Sequence, residues 1–344
     1  MLLRCHAPAC GGDGPCICVQ VTQMFLLPHR RAKTFQIGSE VSRWVQNPPQ
    51  PNMIANTAHR FALFLGTVGF LPAGVQAWGA FGHETVAYVA TNFVSASTKT
   101  YFQSLLGDTS ADYLATVSTW ADSYRTTTAG KFSAPFHYID AQDNPPSSCG
   151  VDYDRDCGSG GCVVSAINNY TSILLNTGLS KAERQIAAKM IIHFIGDIGQ
   201  PLHCENLDVG GNDIDVTYDG DSTNLHAIWD TQIPEAIAGS SSLSGAKTWA
   251  STLTTAIQTG TYKSSAAGWA SGLNVKDAVT TSLKWATESN AAVCSTVLAK
   301  GISYVESNDL SGTYTTTASP VVKLQIAKQG YRLAKWLDAI VAAV

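Results

Sequence analysis

The chain has 344 residues, 14% of them charged, and a formal net charge of −4. Six of its 22 Lys and Arg and two of its 26 Asp and Glu precede Trp78, so residues 78–344 carry a formal charge of −8. That balance excludes binding of nucleic acid through a broad basic face with counterion release; a phosphate substrate would have to be held by bound cations.

Residues 1–52 read as an upstream extension, either disordered or the product of a start assigned too early. Their Cys5, Cys10, Cys16 and Cys18 lack a zinc-knuckle spacing. Residues 53–77 read as a secretory signal peptide, with basic His59-Arg60, an apolar run over 61–71, and small Val75 and Ala77 at the −3 and −1 positions. The run is too short for a membrane anchor, which needs about 20 apolar residues. Cleavage after Ala77 would make Trp78 the mature N-terminus. Its free amine and carbonyl can bind a metal, and His83 stands five residues on. Residues 78–344 fit one large domain.

Residues 85–106 and 246–257 read as helices. Ser180-Lys181-Ala182-Glu183 is a capping box. It opens a helix with Ile186, Met190, Ile191, Phe194, Ile195 and Ile198 on its apolar face, which Pro201 stops. Ser319-Pro320 caps another helix, running through Leu324, Ala327, Tyr331, Ala334, Leu337 and Val341. Residues 140–162 and 204–224 are loops rich in Gly, Asp, Asn and Pro, with Thr217-Tyr218 suited to a short hairpin. There is no repeat and no nucleotide-binding Gly-rich turn. The predicted class is all-α (mostly α): a compact multi-helix bundle with long loops and one short hairpin.

Five cysteines follow Trp78, and a secreted chain is expected to pair them. Cys157 and Cys162 enclose a short Gly-rich loop and suit a local pair. Cys149 then pairs with Cys294, or one of these pairs with Cys204. Asn169-Tyr170-Thr171 is an N-glycosylation sequon.

The same region has five histidines: His83, His137, His193, His203 and His226. His193 and Asp197 are four residues apart on one predicted helix, so their side chains share a face. His226 and Asp230 repeat the spacing. One such pair is more often core than ligand. Two pairs, together with His203, Asp122 and His137, point to a metal cluster. Imidazoles and carboxylates with few thiolates suit zinc. Eight or nine ligands exceed one tetrahedral site, so two or three ions are implied.

The order of these motifs resembles a known family. Trp78-Gly79 is followed by Phe81-Gly82-His83-Glu84, Trp120-Ala121-Asp122 and Phe136-His137-Tyr138-Ile139-Asp140. Then come the run from His193 to His203, Gly210-Gly211-Asn212, and His226-Ala227-Ile228-Trp229-Asp230. Together they resemble the zinc-dependent single-strand nucleases of fungi and plants, distant kin of zinc phospholipase C. The resemblance spans essentially all of 78–344.

It implies a mostly α fold and three zinc ions. Asp122, His137, His193 and Asp197 would hold one. The Trp78 amine and carbonyl and His83 would hold a second, with Asp197 bridging. His203, His226 and Asp230 would hold the third. It also implies disulfides Cys149–Cys294 and Cys157–Cys162, leaving Cys204 as a buried inert thiol or an adventitious ligand. Arg125 matches a basic position near the scissile phosphate and would stabilise transition-state charge. Tyr138, where the family usually has Phe, would stack a base. Asp140 would accept from the base edge, and Val209 and Asn212 would form the other wall. A base must leave a duplex stack to enter such a slot, which favours single strands.

The implied activity is secreted, zinc-dependent endonucleolytic hydrolysis of single-stranded DNA and RNA to 5′-phosphorylated products, with removal of 3′-phosphate from nucleotides. Zinc lowers the pKa of bound water to about 7, which makes hydroxide available near neutrality. The expected partners are single-stranded DNA, RNA and 3′-nucleotides as substrates, with no stable protein partner and no membrane, and the chain is expected to be a monomer. A phospholipase C-like phosphodiesterase and a non-catalytic zinc-binding protein are the alternatives. The first would want an apolar membrane-facing rim, and the second would not need Arg125.

Overall fold

In the computed structural model, residues 78–344 are described. The expected upstream extension and signal peptide lie outside the described residues. The first helix, α1 (Ala80–Phe93), is buried along most of its length and carries His83 near its start. Two longer helices flank it, α6 (Leu243–Gln258) and α8 (Thr313–Ala343). Close approach of α8 requires Gly330, because a Cβ there would lie 2.5 Å from Val89 Cβ.

The sequence suggests one helix over 85–106, whereas the chain forms two. Val94 turns extended, and Ser95 caps α2 (Ala96–Leu106) by accepting from Thr98 N–H at 3.2 Å. A serine whose hydroxyl satisfies the first free amides is a strong start signal, and here it restarts the helix. The capping box of Ser180 and Glu183 is formed and opens α5 (Lys181–Asp197). This helix ends at Asp197, earlier than Pro201. The following turn passes Gln200, and Pro201 instead begins a 3-10 helix (Pro201–Cys204).

Ser319-Pro320 does not start a helix. Both residues lie inside the 31-residue α8. Ser319 Oγ donates back to Thr315 O at 2.8 Å, as a helix-interior serine does. Pro320 forfeits the bond to the Thr316 carbonyl, but Thr316 is exposed and water can serve it. Residues 246–257 are helical as expected, with the start moved to Leu243 by Ser242, which accepts from Gly245 N–H.

Two further long helices join the bundle, α4 (Val163–Leu175) and α7 (Ala278–Ala292), with α4 packed against both α5 and α7. One antiparallel hairpin is present among the described residues. It joins β1 (Asp215–Tyr218) and β2 (Asp221–Asn224), with Thr217 opposite Ser222. The fold is therefore mostly α with a single short hairpin, as the sequence suggests.

Two disulfides fasten the loops: Cys149–Cys294 ties the 140–162 region to the segment after α7, and Cys157–Cys162 closes the loop before α4. Cys204 is a buried free thiol facing Ile198 O at 3.6 Å, and burial pushes its pKa up. Asn169 is half-buried on α4, and Thr171, two residues on, is fully buried and accepts from Trp336 Nε1. No described helix is long and apolar enough to cross a membrane.

Candidate metal centre

The last turn of α5 brings His193 and Asp197 to the middle of the bundle, both fully buried. Three neighbouring elements face them. The start of α1 supplies His83. The short helix α3 (Trp120–Arg125) supplies Asp122, and the 3-10 turn Lys131–His137 supplies His137. Gly196 lets His83 come this close, since a Cβ there would stand 2.8 Å from His83 Nδ1. The His83 ring stacks on His193 with centroids 3.9 Å apart.

Asp197 has one oxygen toward each side. Its Oδ1 lies 3.0 Å from His83 Nε2, and its Oδ2 lies 3.1 Å from His137 Nδ1 and 3.3 Å from His193 Nε2. Asp122 Oδ1 completes the second side, 3.5 Å from His193 Nε2 and 3.7 Å from His137 Nδ1.

A separate group forms just past α5. His203 lies on the 3-10 turn, and His226 lies on a helical turn that widens to π geometry over Ile228–Gln232, carrying Asp230. Such wide turns recur at functional sites. His226 Nε2 lies 3.0 Å from His203 Nε2 and 3.2 Å from Asp230 Oδ2.

These contacts fit metal ligands better than hydrogen bonds. His203 Nδ1 sits 2.8 Å from His137 O, and His226 Nδ1 sits 2.6 Å from Gly210 O. A carbonyl can only accept, so each Nδ1 carries the proton and each neutral ring turns a bare Nε2 inward. With both Nε2 atoms unprotonated, two lone pairs would face each other at 3.0 Å, a contact that a cation between them relieves. His193 is held the same way by Ser118 O at 2.6 Å. Both Asp197 oxygens, Asp122 Oδ1 and both His83 nitrogens are buried without a well-formed hydrogen bond. Buried charges left so are costly unless an ion pairs them. Two donors about 2.1 Å from a tetrahedral zinc lie roughly 3.4 Å apart, which is the spacing seen here.

Without a cation, a proton takes its place. Burial disfavours a charged His193, but Asp197 and Asp122 outweigh it and hold its pKa near 10. Burial likewise opposes ionisation of Asp122, yet His193 brings it down to about 2. Burial lowers His137 to about 4 despite Asp197.

Arg125 reaches Asp122 Oδ1 at 3.5 Å with a nearly buried side chain. After burial and the nearer carboxylates, its charge also lowers the pKa values of His137, Tyr138 and His226, so both donor groups lie within its electrostatic range. Tyr138 and Asp140 are half-exposed beside His137, on a strip clipped by Ile139 N–H to His203 O at 2.9 Å. Burial and then the Asp156 charge raise the Asp140 pKa.

On another loop, Asp208, Val209, Gly210 and Gly211 all have positive φ, from 47° to 78°. This left-handed turn is strained at the β-branched Val209. It leaves Val209 60% exposed and aims Gly210 O at His226. Asn212 Nδ2 donates to Val209 O at 2.7 Å.

The structure thus gathers eight of the nine expected ligands. Trp78 is buried at the head of α1, where Gly79 N–H donates to Asp230 O at 2.8 Å. A further acidic group, Asp143 with Glu205, abuts Cys149, but that sulfur is in a disulfide and is no thiolate. Sequence reasoning did not single out Gly196 or the backbone carbonyls of Ser118, His137 and Gly210. The glycine inside the His193-to-His203 run could have flagged close approach, whereas the carbonyls leave no trace in residue identity.

A family model described as S1/P1 nuclease matches residues 78–342. The chain is 59% identical over 263 residues to Nuclease S1 of Aspergillus oryzae, covering 76% of this chain and 91% of that protein. It is 48% identical to Nuclease P1 of Penicillium citrinum, covering 76% and 97%. It is 31% identical to Endonuclease 2 of Arabidopsis thaliana, covering 77% and 91%.

Proposed function

The chain belongs to the S1/P1 nuclease family, and on that premise we propose that it is a secreted, monomeric endonuclease and 3′-nucleotidase. It cleaves single-stranded DNA and RNA to 5′-phosphorylated products with three zinc ions. Residues 78–344 are the catalytic domain, residues 53–77 its secretory signal, and residues 1–52 an upstream extension. Asn169 is its glycosylation site. The observation that carries the reading is Asp197, whose two oxygens face different histidines while two more imidazoles turn bare nitrogens on one another nearby.

Asp122, His137, His193 and Asp197 hold one ion. His83 and the Trp78 amine and carbonyl hold the second with Asp197. His203, His226 and Asp230 hold the third. Bound zinc supplies Lewis acidity, lowering the pKa of water and offsetting phosphate charge.

The chain's own groups do the rest. Ser118, His137 and Gly210 carbonyls orient the ligand imidazoles. Arg125, held by Asp122, donates to the phosphate oxygens as charge builds on them. Tyr138 stacks the base, Asp140 accepts from its edge, and Val209 with Asn212 closes the opposite wall. A paired base cannot enter between them without leaving its stack.

The test compares turnover of single-stranded DNA, RNA, duplex DNA and phosphatidylcholine, with and without chelator. Chelator-sensitive turnover of both single strands is expected, with duplex slower. Lipid turnover without nucleic-acid turnover overturns the reading. A protein retaining one residue before Trp78 should lose one zinc and most activity, and undiminished activity would remove Trp78 from the ligands.

A further inference from the structure

Gln200 lies midway between Asp197 and His203, and it bonds to both ligand segments and across to a third. Its backbone N–H donates to Asp197 O at 2.9 Å, and its carbonyl accepts from His203 N–H at 3.1 Å. The side chain is fully buried. Its Oε1 accepts the Leu202 N–H at 2.6 Å, which settles the orientation of the amide. Nε2 therefore points the other way, and it donates to Asp230 Oδ1 at 2.7 Å. One oxygen of Asp230 is thus occupied by an amide, while Oδ2 faces His226 Nε2 at 3.2 Å.

We propose that Gln200 is the positioning residue of the third metal site, locking the Asp230 carboxylate so that Oδ2 is presented to His226 Nε2, while the held Oδ1 stays 3.8 Å from His203 Nε2. The inference rests on the reading that those three residues hold a zinc ion. A carboxylate turns about a broad, roughly two-fold torsion, so Asp230 needs a fixed donor on one oxygen to hold the other in place. Gln is suited to this position because it has a donor for Asp230 and an acceptor for Leu202 at once. Leucine supplies neither, and glutamate sets a second anion against Oδ1. Ordered partners behind metal ligands typically change affinity by about 10–100-fold when removed.

The experiment counts zinc per chain in purified holoenzyme equilibrated against graded free zinc at neutral pH. It uses the wild type, Gln200→Leu and Asp230→Asn. Gln200→Leu is expected to keep two ions at wild-type affinity and to bind the third about 10–100-fold more weakly. Should it fail to fold, Gln200→Glu keeps the Leu202 acceptor and carries the same expectation. Three ions at wild-type affinity overturn the proposal, and so does loss of all three together, which a general folding defect would produce. Asp230→Asn separates the two failures. If it loses one ion while the Gln200 variant loses none, only the positioning role falls. If it retains all three, the third-site assignment itself is wrong and the proposal falls with it.

Discussion

Replacing Gly196 by alanine sets two physical effects against each other. Gly196 is in the last turn of α5, where alanine should favour the helix by about 1 kcal/mol. A Cβ there would meet His83 Nδ1 at 2.8 Å and Cε1 at 3.1 Å. Ordinary contact begins near 3.4 Å, so the ring must withdraw by about 0.6 Å. His83 has little room, because one face of its ring is stacked on His193 and its Nε2 lies 3.0 Å from Asp197. Overpacking of this kind costs roughly 1–3 kcal/mol, which equals or exceeds the gain in helix propensity. A shift of this size at a proposed ligand should also lower kcat/KM, by up to about 100-fold. The assay combines kcat/KM on a single-stranded oligonucleotide, zinc content and a thermal melt. Gly268→Ala is the control, since nothing lies within 4 Å of a Cβ built there. Gly196→Ala with wild-type kcat/KM and a raised Tm would refute the reasoning.

The two disulfides should contribute unequally. Loop-closure entropy assigns about 5 kcal/mol to Cys149–Cys294, which spans 145 residues, and about 2 kcal/mol to Cys157–Cys162, which spans five. Denaturant unfolding of the two double-serine variants checks the order, and equal losses would contradict it. Glu288 gives a pH signature. Burial raises its pKa, but Arg332 and Lys328 bring it below its usual 4.5. The stabilisation is present above 4.5 and is lost as pH falls through the folded pKa. The Tm advantage of wild type over Glu288→Gln, with both proteins metal-free, should therefore shrink below pH 4.5. An advantage independent of pH would rule out the ion pair with Arg332 as its source. Chelation should lower Tm, because the donors come from α1, α3, α5 and three turns. Scanning calorimetry before and after restoring zinc measures it, and an unchanged Tm after proven removal would count against the cluster.

What can be read in this sequence, and what cannot, follows from how each feature is encoded. The His193–Asp197 and His226–Asp230 spacings survive as a pattern because four residues is one helical turn, whatever packs around it. The capping box of Ser180 is equally local, and its helix begins where the motif puts it. α4 opens on a weaker signal, in which Ser165 Oγ accepts the Cys162 N–H at 2.8 Å. Its Val163, Val164, Ile167, Asn168, Asn169, Thr171 and Ile173 are modest helix formers, so the helix owes its stability to packing against α5 and α7. Ser319-Pro320 misleads for the converse reason. It carries a local start signal that the long apolar contact of α8 with α1 overrides.

The least legible layer is the one that orients the donors. Histidine identity names a candidate donor, but whether Nδ1 or Nε2 turns inward depends on a carbonyl that any residue could supply. Ser118 and Gly210 perform that task through backbone atoms, and Gly210 can do so because its turn runs through four successive positive φ values. What matters at such positions is backbone conformation rather than side-chain chemistry. A substitution at Gly211, where φ is 78° and no side chain touches the donors, should therefore disturb His226 through the turn. The same logic separates Gln200 from those carbonyls. Its contribution to Asp230 is made by a side chain, so its role can be removed by one substitution while the backbone bonds to Asp197 and His203 stay in place.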